Sequence, residues 1–179
     1  VEAGTGTGKT LAYLVPVLLS GRKIVVSTGT KTLQDQIMQH DLPLLEAGFG
    51  ARLEVACMKG LANYLCLRRF DEFRHGARAA DTALARALPV LEAWAARTET
   101  GDRNELVDLP AEEAAWGEVH SGSDTRIGPK CRHYDACHVT RMRAAAEGAR
   151  VVVVNHHLFF ADLAMRGPHG ARVIPDYDA

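Results

Sequence analysis

Between Glu2 and Thr10 the chain runs EAGTGTGKT, with glycine at every second position from Gly4 to Gly8. Glycine loses the most conformational freedom on folding and has no side chain to pack, so a core strand or helix is not built this way. The stretch is wanted for its backbone. Ala3 to Thr10 fits the nucleotide-binding P-loop in its form with alanine first, four residues, then Gly-Lys-Thr. In such a loop the backbone N–H groups of Ala3, Gly4, Thr5, Gly6, Thr7 and Gly8 wrap the phosphates, helped by the positive end of the following helix. Lys9 reaches the β- and γ-phosphates and the Thr10 hydroxyl helps to hold Mg²⁺. A flexible linker ending in Lys-Thr would look similar by composition alone. What separates the two is the helix that follows at once, with Leu11, Leu14, Val15, Leu18 and Leu19 at helical spacing. ATP or GTP binding with Mg²⁺ is the expectation.

With 179 residues, 47% of them hydrophobic, the chain can bury one sizeable core, or one core plus a large insertion. The formal net charge of -1 carries no global sign of a nucleic-acid binder, although a local basic groove is compatible with a neutral total. No apolar run approaches the roughly 20 residues that a membrane-spanning helix needs, and no signal-peptide pattern opens the chain. The expectation is a cytoplasmic protein without a membrane partner. The chain opens on Val1 inside a motif and stops at Ala179 just after the lead-in to a strand, and is therefore expected to be a fragment cut at both ends. Its four cysteines then stand as thiols or metal ligands rather than disulfides.

Lys23 to Ser27 (KIVVS) and Leu53 to Cys57 (LEVAC) are short runs of strand character, with a helix expected from about Lys31 to His40 between them. Alternating helix and strand predicts a parallel sheet covered by helices. From about Lys59 to Arg150 the sequence is helical, rich in Ala and Arg, without a strand signal. The strand pattern returns at Val151 to Val154, four valines that suit a strand buried on both faces, and a helix is expected over His157 to Met165. The fold class is therefore α/β: a P-loop NTPase of RecA-like type, with a parallel sheet interrupted by a mainly helical insertion. The expected divisions are 1–57, 58–149 for the cysteine-containing insertion, and 150–179. Hydrolysis also needs an acidic residue at a strand end to hold the metal. The valine strand ends instead in Asn155, and Asp176 and Asp178 do not follow an apolar run.

Five segments together resemble one family, the DinG-type branch of superfamily 2 DNA helicases, related to XPD: Glu2 to Thr10, Ser27 to Gln36 (STGTKTLQDQ), Lys59 to Cys66 (KGLANYLC), the Cys131 to Cys137 region, and Val153 to Asp162 (VVNHHLFFAD). The resemblance implies two motor domains that close on ATP and translocate 5′ to 3′ on single-stranded DNA. This chain would be much of the first motor domain, with an iron-sulfur insertion, ending before the Asp-Glu-Ala-His box. It implies contacts to the DNA backbone from Thr28, Gly29, Thr30 and Gln34. An ordinary turn capped by Thr30 would use the same residue types. Asn155 and His156 are expected to hold the strand end by hydrogen bonds, and Phe159 and Phe160 to pack in the core or an interface.

Relatives in that family hold a 4Fe-4S cluster with four cysteines, since soft thiolates suit iron. Cys66, Cys131 and Cys137 occupy three of those places, and Arg126 stands where the fourth is expected. Three alternatives remain open. Cys57, or the histidines His133 or His138, supplies the fourth ligand; Cys131, His133, Cys137 and His138 hold zinc; or the cluster is lost and helix packing holds the insertion. Arg68, Arg69, Arg74, Arg78, Arg141 and Arg143 are candidates for a DNA path, against the alternative of a solvated helix face, with Arg141 and Arg143 preferred because they follow the cysteines. The resulting expectation is an ATP-dependent DNA helicase acting on single-stranded and forked or displaced-strand DNA in DNA repair. The alternative is a metal-stabilised DNA-binding module with a degenerate P-loop motor.

Overall fold

β-Branched residues at Ile24–Thr28 (β1) and Val151–Asn155 (β3) build two neighbouring strands of a parallel sheet, paired from Ile24 with Val151 to Thr28 with Asn155. The computed structural model describes residues 8–80, 82–110 and 112–179. Among these the sheet has three strands in the order β1-β3-β2, where β2 is Val55–Cys57. The central position of β3 explains its composition. Val151 to Val154 are all buried, as a strand covered on both faces requires. On the free edge of β1, Asp178 donates its N–H to the Lys23 carbonyl at 2.7 Å and Val25 donates to the Ala179 carbonyl at 2.9 Å.

Helices pack on this sheet. α1 spans Lys9–Leu19 and buries Leu14 among Ile24, Val26, Val151 and Val153. α2, Lys31–Gln36, does not stop near His40 as expected. It widens into a π-helical turn at Ile37–Asp41 and runs on as α3, Leu42–Phe49, ending at Gly50 with φ 64°. Pro43 supplies the reason: a proline lacks the helical N–H and its ring collides with the carbonyl four residues earlier, and a wider turn at that point removes the collision. Ile37, Leu42 and Leu45 keep the apolar stripe in contact with the sheet throughout.

The chain divides into two compact units. The first comprises the residues up to Lys59 together with Arg143–Ala179; the second is Gly60–Met142. The second unit contains α4 (Leu67–His75), α5 (Thr82–Ala85), α6 (Ala87–Ala95), α7 (Glu112–Val119) and the start of α8 (His138–Gly148). It has an apolar core of its own, in which Phe70, Phe73, Leu91 and Val119 surround Trp94, and Trp94 meets Trp116 edge to face at 6.0 Å. α9, His156–His169, follows β3 in the first unit. Among the described residues no helix is long and apolar enough to cross a membrane.

Candidate nucleotide and DNA-contact site

Gly8 is the hinge on which the phosphate loop enters α1. Its φ of 75° lies in the left-handed region that glycine adopts without steric cost. Its carbonyl accepts the first helical hydrogen bond, from Ala12 N–H at 3.0 Å. Lys9 and Thr10 therefore form the first turn of an eleven-residue helix whose first turn carries no acidic side chain. The positive end of the helix has no carboxylate of its own, which suits an anion. Ala3, Gly4, Thr5, Gly6 and Thr7 lie outside the described residues.

The turn after β1 is built by its own hydroxyls. Thr28 is buried, and its Oγ1 donates toward the Thr30 carbonyl at 3.1 Å and lies 3.3 Å from the Val154 carbonyl. Thr30 caps α2 by accepting from Leu33 N–H at 3.2 Å. The capped-turn alternative is thus present, and Gly29 and Thr30 remain exposed. Gln34 corrects an expectation. Its side chain is fully buried, and Nε2 donates to the Met58 carbonyl at 3.1 Å and approaches the Val153 carbonyl at 3.4 Å. An amide turned into the sheet braces α2 against β2 and β3 and is not presented to DNA. Cys57, in β2 of the first unit, lies 3.7 Å from the same Nε2.

Asn155 and His156 hold the end of β3, as expected. Asn155 Oδ1 accepts from Leu158 N–H at 2.8 Å, capping α9, and His156 Nδ1 pairs with Ser27 Oγ at 2.7 Å, tying β3 to β1. Phe159 contacts Phe160 and Tyr177, whereas Phe160 is 62% exposed and does not join the core. Two further anchors were not singled out from the sequence. Lys59 is buried and pairs with Asp35 at 2.8 Å, joining the end of β2 to α2. Asp162 is fully buried and accepts Val173 N–H at 2.7 Å and Ile174 N–H at 2.9 Å, while Arg166 bonds its other oxygen. The only sequence signal for either anchor was its place within the family-like segments.

In the second unit Cys66, Cys131 and Cys137 line one cleft of about 350 Å³, part of it open to solvent, together with Arg126 and Tyr134. Arg126 Nη2 donates to Thr140 Oγ1 at 2.9 Å. The Cys137 thiol is held below its ordinary range: burial raises it, but the Thr140 N–H and hydroxyl, the Val139 N–H and the Arg126 charge outweigh burial. The zinc alternative does not survive the geometry. His133 is turned to Asp71 at 3.1 Å. His138 is buried and its ring packs where a side chain on Gly101 would stand, 2.4 Å from that Cβ position; burial lowers its pKa. Among the described residues no three His, Cys, Asp or Glu side chains converge on a position that could hold a metal ion. A 4Fe-4S cluster needs four soft ligands, and three thiols plus a guanidinium do not supply them. The residues present do not fit that group.

Of the candidate arginines, those of α4 and Arg78 just beyond it are engaged within the second unit. Arg68 donates to the Thr125 carbonyl at 2.8 Å, and Arg69 to the carbonyls of His120 and Gly117, each at 2.7 Å. Arg74 pairs with Asp71 and Arg78 with Glu118. Arg141 and Arg143 on α8 are exposed.

A parallel sheet flanked by helices, with Gly-Lys-Thr at the head of the first of them, defines the class as P-loop NTPase. A DEAD/DEAH box helicase family model matches residues 1–74. The chain is 40% identical over 98% of its length to the ATP-dependent DNA helicase YoaA of Haemophilus influenzae, and 37% identical over 90% to the ATP-dependent helicase DinG of Mycobacterium tuberculosis. It is 31% identical over 97% to a Bacillus subtilis protein named 3′-5′ exonuclease DinG. Over residues 1–74 the chain carries the DEAD/DEAH box helicase pattern, and over nearly its whole length it is similar to helicases of the DinG/YoaA group. It spans 28% of the length of the first two relatives and 18% of the third.

Proposed function

We propose that the chain is the nucleotide-binding part of an ATP-dependent DNA helicase of the DinG type, coupling ATP hydrolysis to 5′ to 3′ movement on single-stranded DNA and to opening of forked or displaced-strand DNA. The observation that carries this reading is the left-handed Gly8 opening α1 on Lys9 and Thr10, in a chain whose relatives are named ATP-dependent DNA helicases. Backbone donors of the loop and Lys9 hold the phosphates and neutralise charge as the phosphoryl group is transferred, and Thr10 helps to hold Mg²⁺. Gly29 and Thr30 offer backbone N–H groups and a hydroxyl at the strand-to-helix turn, groups that suit phosphate oxygens and carry no sequence information. Arg141 and Arg143 add exposed positive charge, and this reading carries with it a cytoplasmic location. No observation favours the degenerate-motor alternative.

The test is DNA-stimulated ATP hydrolysis by the intact protein of which this chain is a part, beside its Lys9→Ala variant; the 179 residues by themselves are expected to be inactive. Stimulation by single-stranded DNA in the wild type and its loss in the variant, with unchanged circular dichroism, is the expected result. Undiminished hydrolysis in Lys9→Ala would sink the assignment.

A further inference from the structure

The cleft in the second unit brings together the four positions at which the resemblance places cluster ligands, and one of them is an arginine. Arg126 is not a surface side chain that happens to lie nearby. It lines the cleft with Cys66, Cys131 and Cys137, it is half-buried, and its guanidinium is fixed on Thr140, in the first turn of α8 just after Cys137. Its own backbone is fixed as well, since Arg126 N–H donates to the Gly122 carbonyl at 3.1 Å. Arg68, reaching the Thr125 carbonyl, ties the same loop to α4.

We infer that Arg126 replaces the cluster in this chain: the insertion is held by the Arg126–Thr140 hydrogen bond and by its own apolar core, and does not assemble a 4Fe-4S centre. An arginine is permanently protonated and has donors only. At the fourth corner it offers iron no ligand and sets a positive charge against it. The same cation donates to the Thr140 hydroxyl. A centre is also not needed to hold the unit together, because Phe70, Phe73, Leu91, Trp94 and Val119 are buried in a core that contains none of the three thiols. Turnover of ATP at the P-loop has no bearing on this replacement.

The experiment compares the full chain with its Arg126→Cys variant, both purified without oxygen and incubated with ferrous iron and sulfide. Iron, sulfide and zinc content, visible absorption and melting temperature are the readouts. The wild type is expected to take up far less than one cluster per chain and to melt at the same temperature with or without the treatment. Arg126→Cys is expected to gain about four iron and four sulfide per chain with broad thiolate-to-iron absorption, and to melt higher when loaded, as binding to the native state alone requires. Adding Cys131→Ser to that variant should abolish the gain. Stoichiometric iron or zinc in the wild type, lost in Cys131→Ser, overturns the inference, and so does a folded Arg126→Cys that takes up no more iron than the wild type. If Arg126→Cys does not fold, the wild-type metal content decides alone, supported by Arg126→Met, which should lower the melting temperature without changing the iron content.

Discussion

Asp162 concentrates the fold's dependence on single side chains. Its carboxylate is fully buried and takes two backbone N–H groups and one guanidinium. Asp162→Ala leaves those donors unsatisfied in a dry site, and the expected loss is about 3 kcal/mol in urea denaturation. Asp162→Asn keeps an oxygen for Val173 and Ile174 and should cost less than Ala; equal losses would show that the Arg166 charge pair, not the N–H bonds, carries the stability. Gly8 works differently, through its backbone. Gly8→Ala forces a Cβ into a left-handed conformation at a strain of about 1–2 kcal/mol, so nucleotide affinity should fall even though the space around a Cβ is open. Unchanged nucleotide binding by calorimetry would show that Gly8 is dispensable for the loop's shape.

At the level of elements, strand ends here pass directly into helix caps. Thr30 begins α2 two residues after β1, and Asn155, the last residue of β3, begins α9. Thr30→Ala and Asn155→Ala should each cost about 1 kcal/mol of stability by loss of a cap. A cost below a few tenths in either case would mean that water replaces the side-chain oxygen. Thr30→Ala separates two roles: if the hydroxyl serves only the cap, DNA affinity stays unchanged once the protein is folded. The exposed arginines of α8 belong to this scale too. Replacing Arg141 and Arg143 together by Ala should weaken single-stranded DNA binding and reduce the slope of log K against log salt by about 0.7 for each phosphate that is no longer neutralised. An unchanged slope removes α8 from the DNA path.

At the scale of the whole molecule, two units with separate apolar cores share one chain. Residues 60–142 expressed alone should melt cooperatively without added metal, with near-ultraviolet circular dichroism from the Trp94–Trp116 pair. A non-cooperative melt with no such signal would show that the apolar core is insufficient by itself. A unit of this size is near the lower range at which a core can suffice.

Most of the first unit was legible in the sequence. Val151 to Val154 announces a central strand because a continuous valine run has to be covered on both faces, and Gly8 to Thr10 announces the start of α1. The caps at Thr30 and Asn155 follow equally local rules. Which polar side chains turn inward was not local. Gln34, Lys59 and Asp162 look like surface residues in the sequence, and apart from Arg166, one turn beyond Asp162, the partners named for them lie 11 to 119 positions away. The arginines of α4 had the composition of a nucleic-acid path, yet the structure commits Arg68 and Arg69 to the carbonyls of Thr125, His120 and Gly117, near and after the end of α7. The sequence by itself determined the start of α1, the parallel sheet and the place of the second unit, because these rest on backbone conformation and hydrophobic period. Only the tertiary structure decided what each charged and thiol side chain faces, because hydrogen bonding and desolvation depend on neighbours that the folded chain brings together.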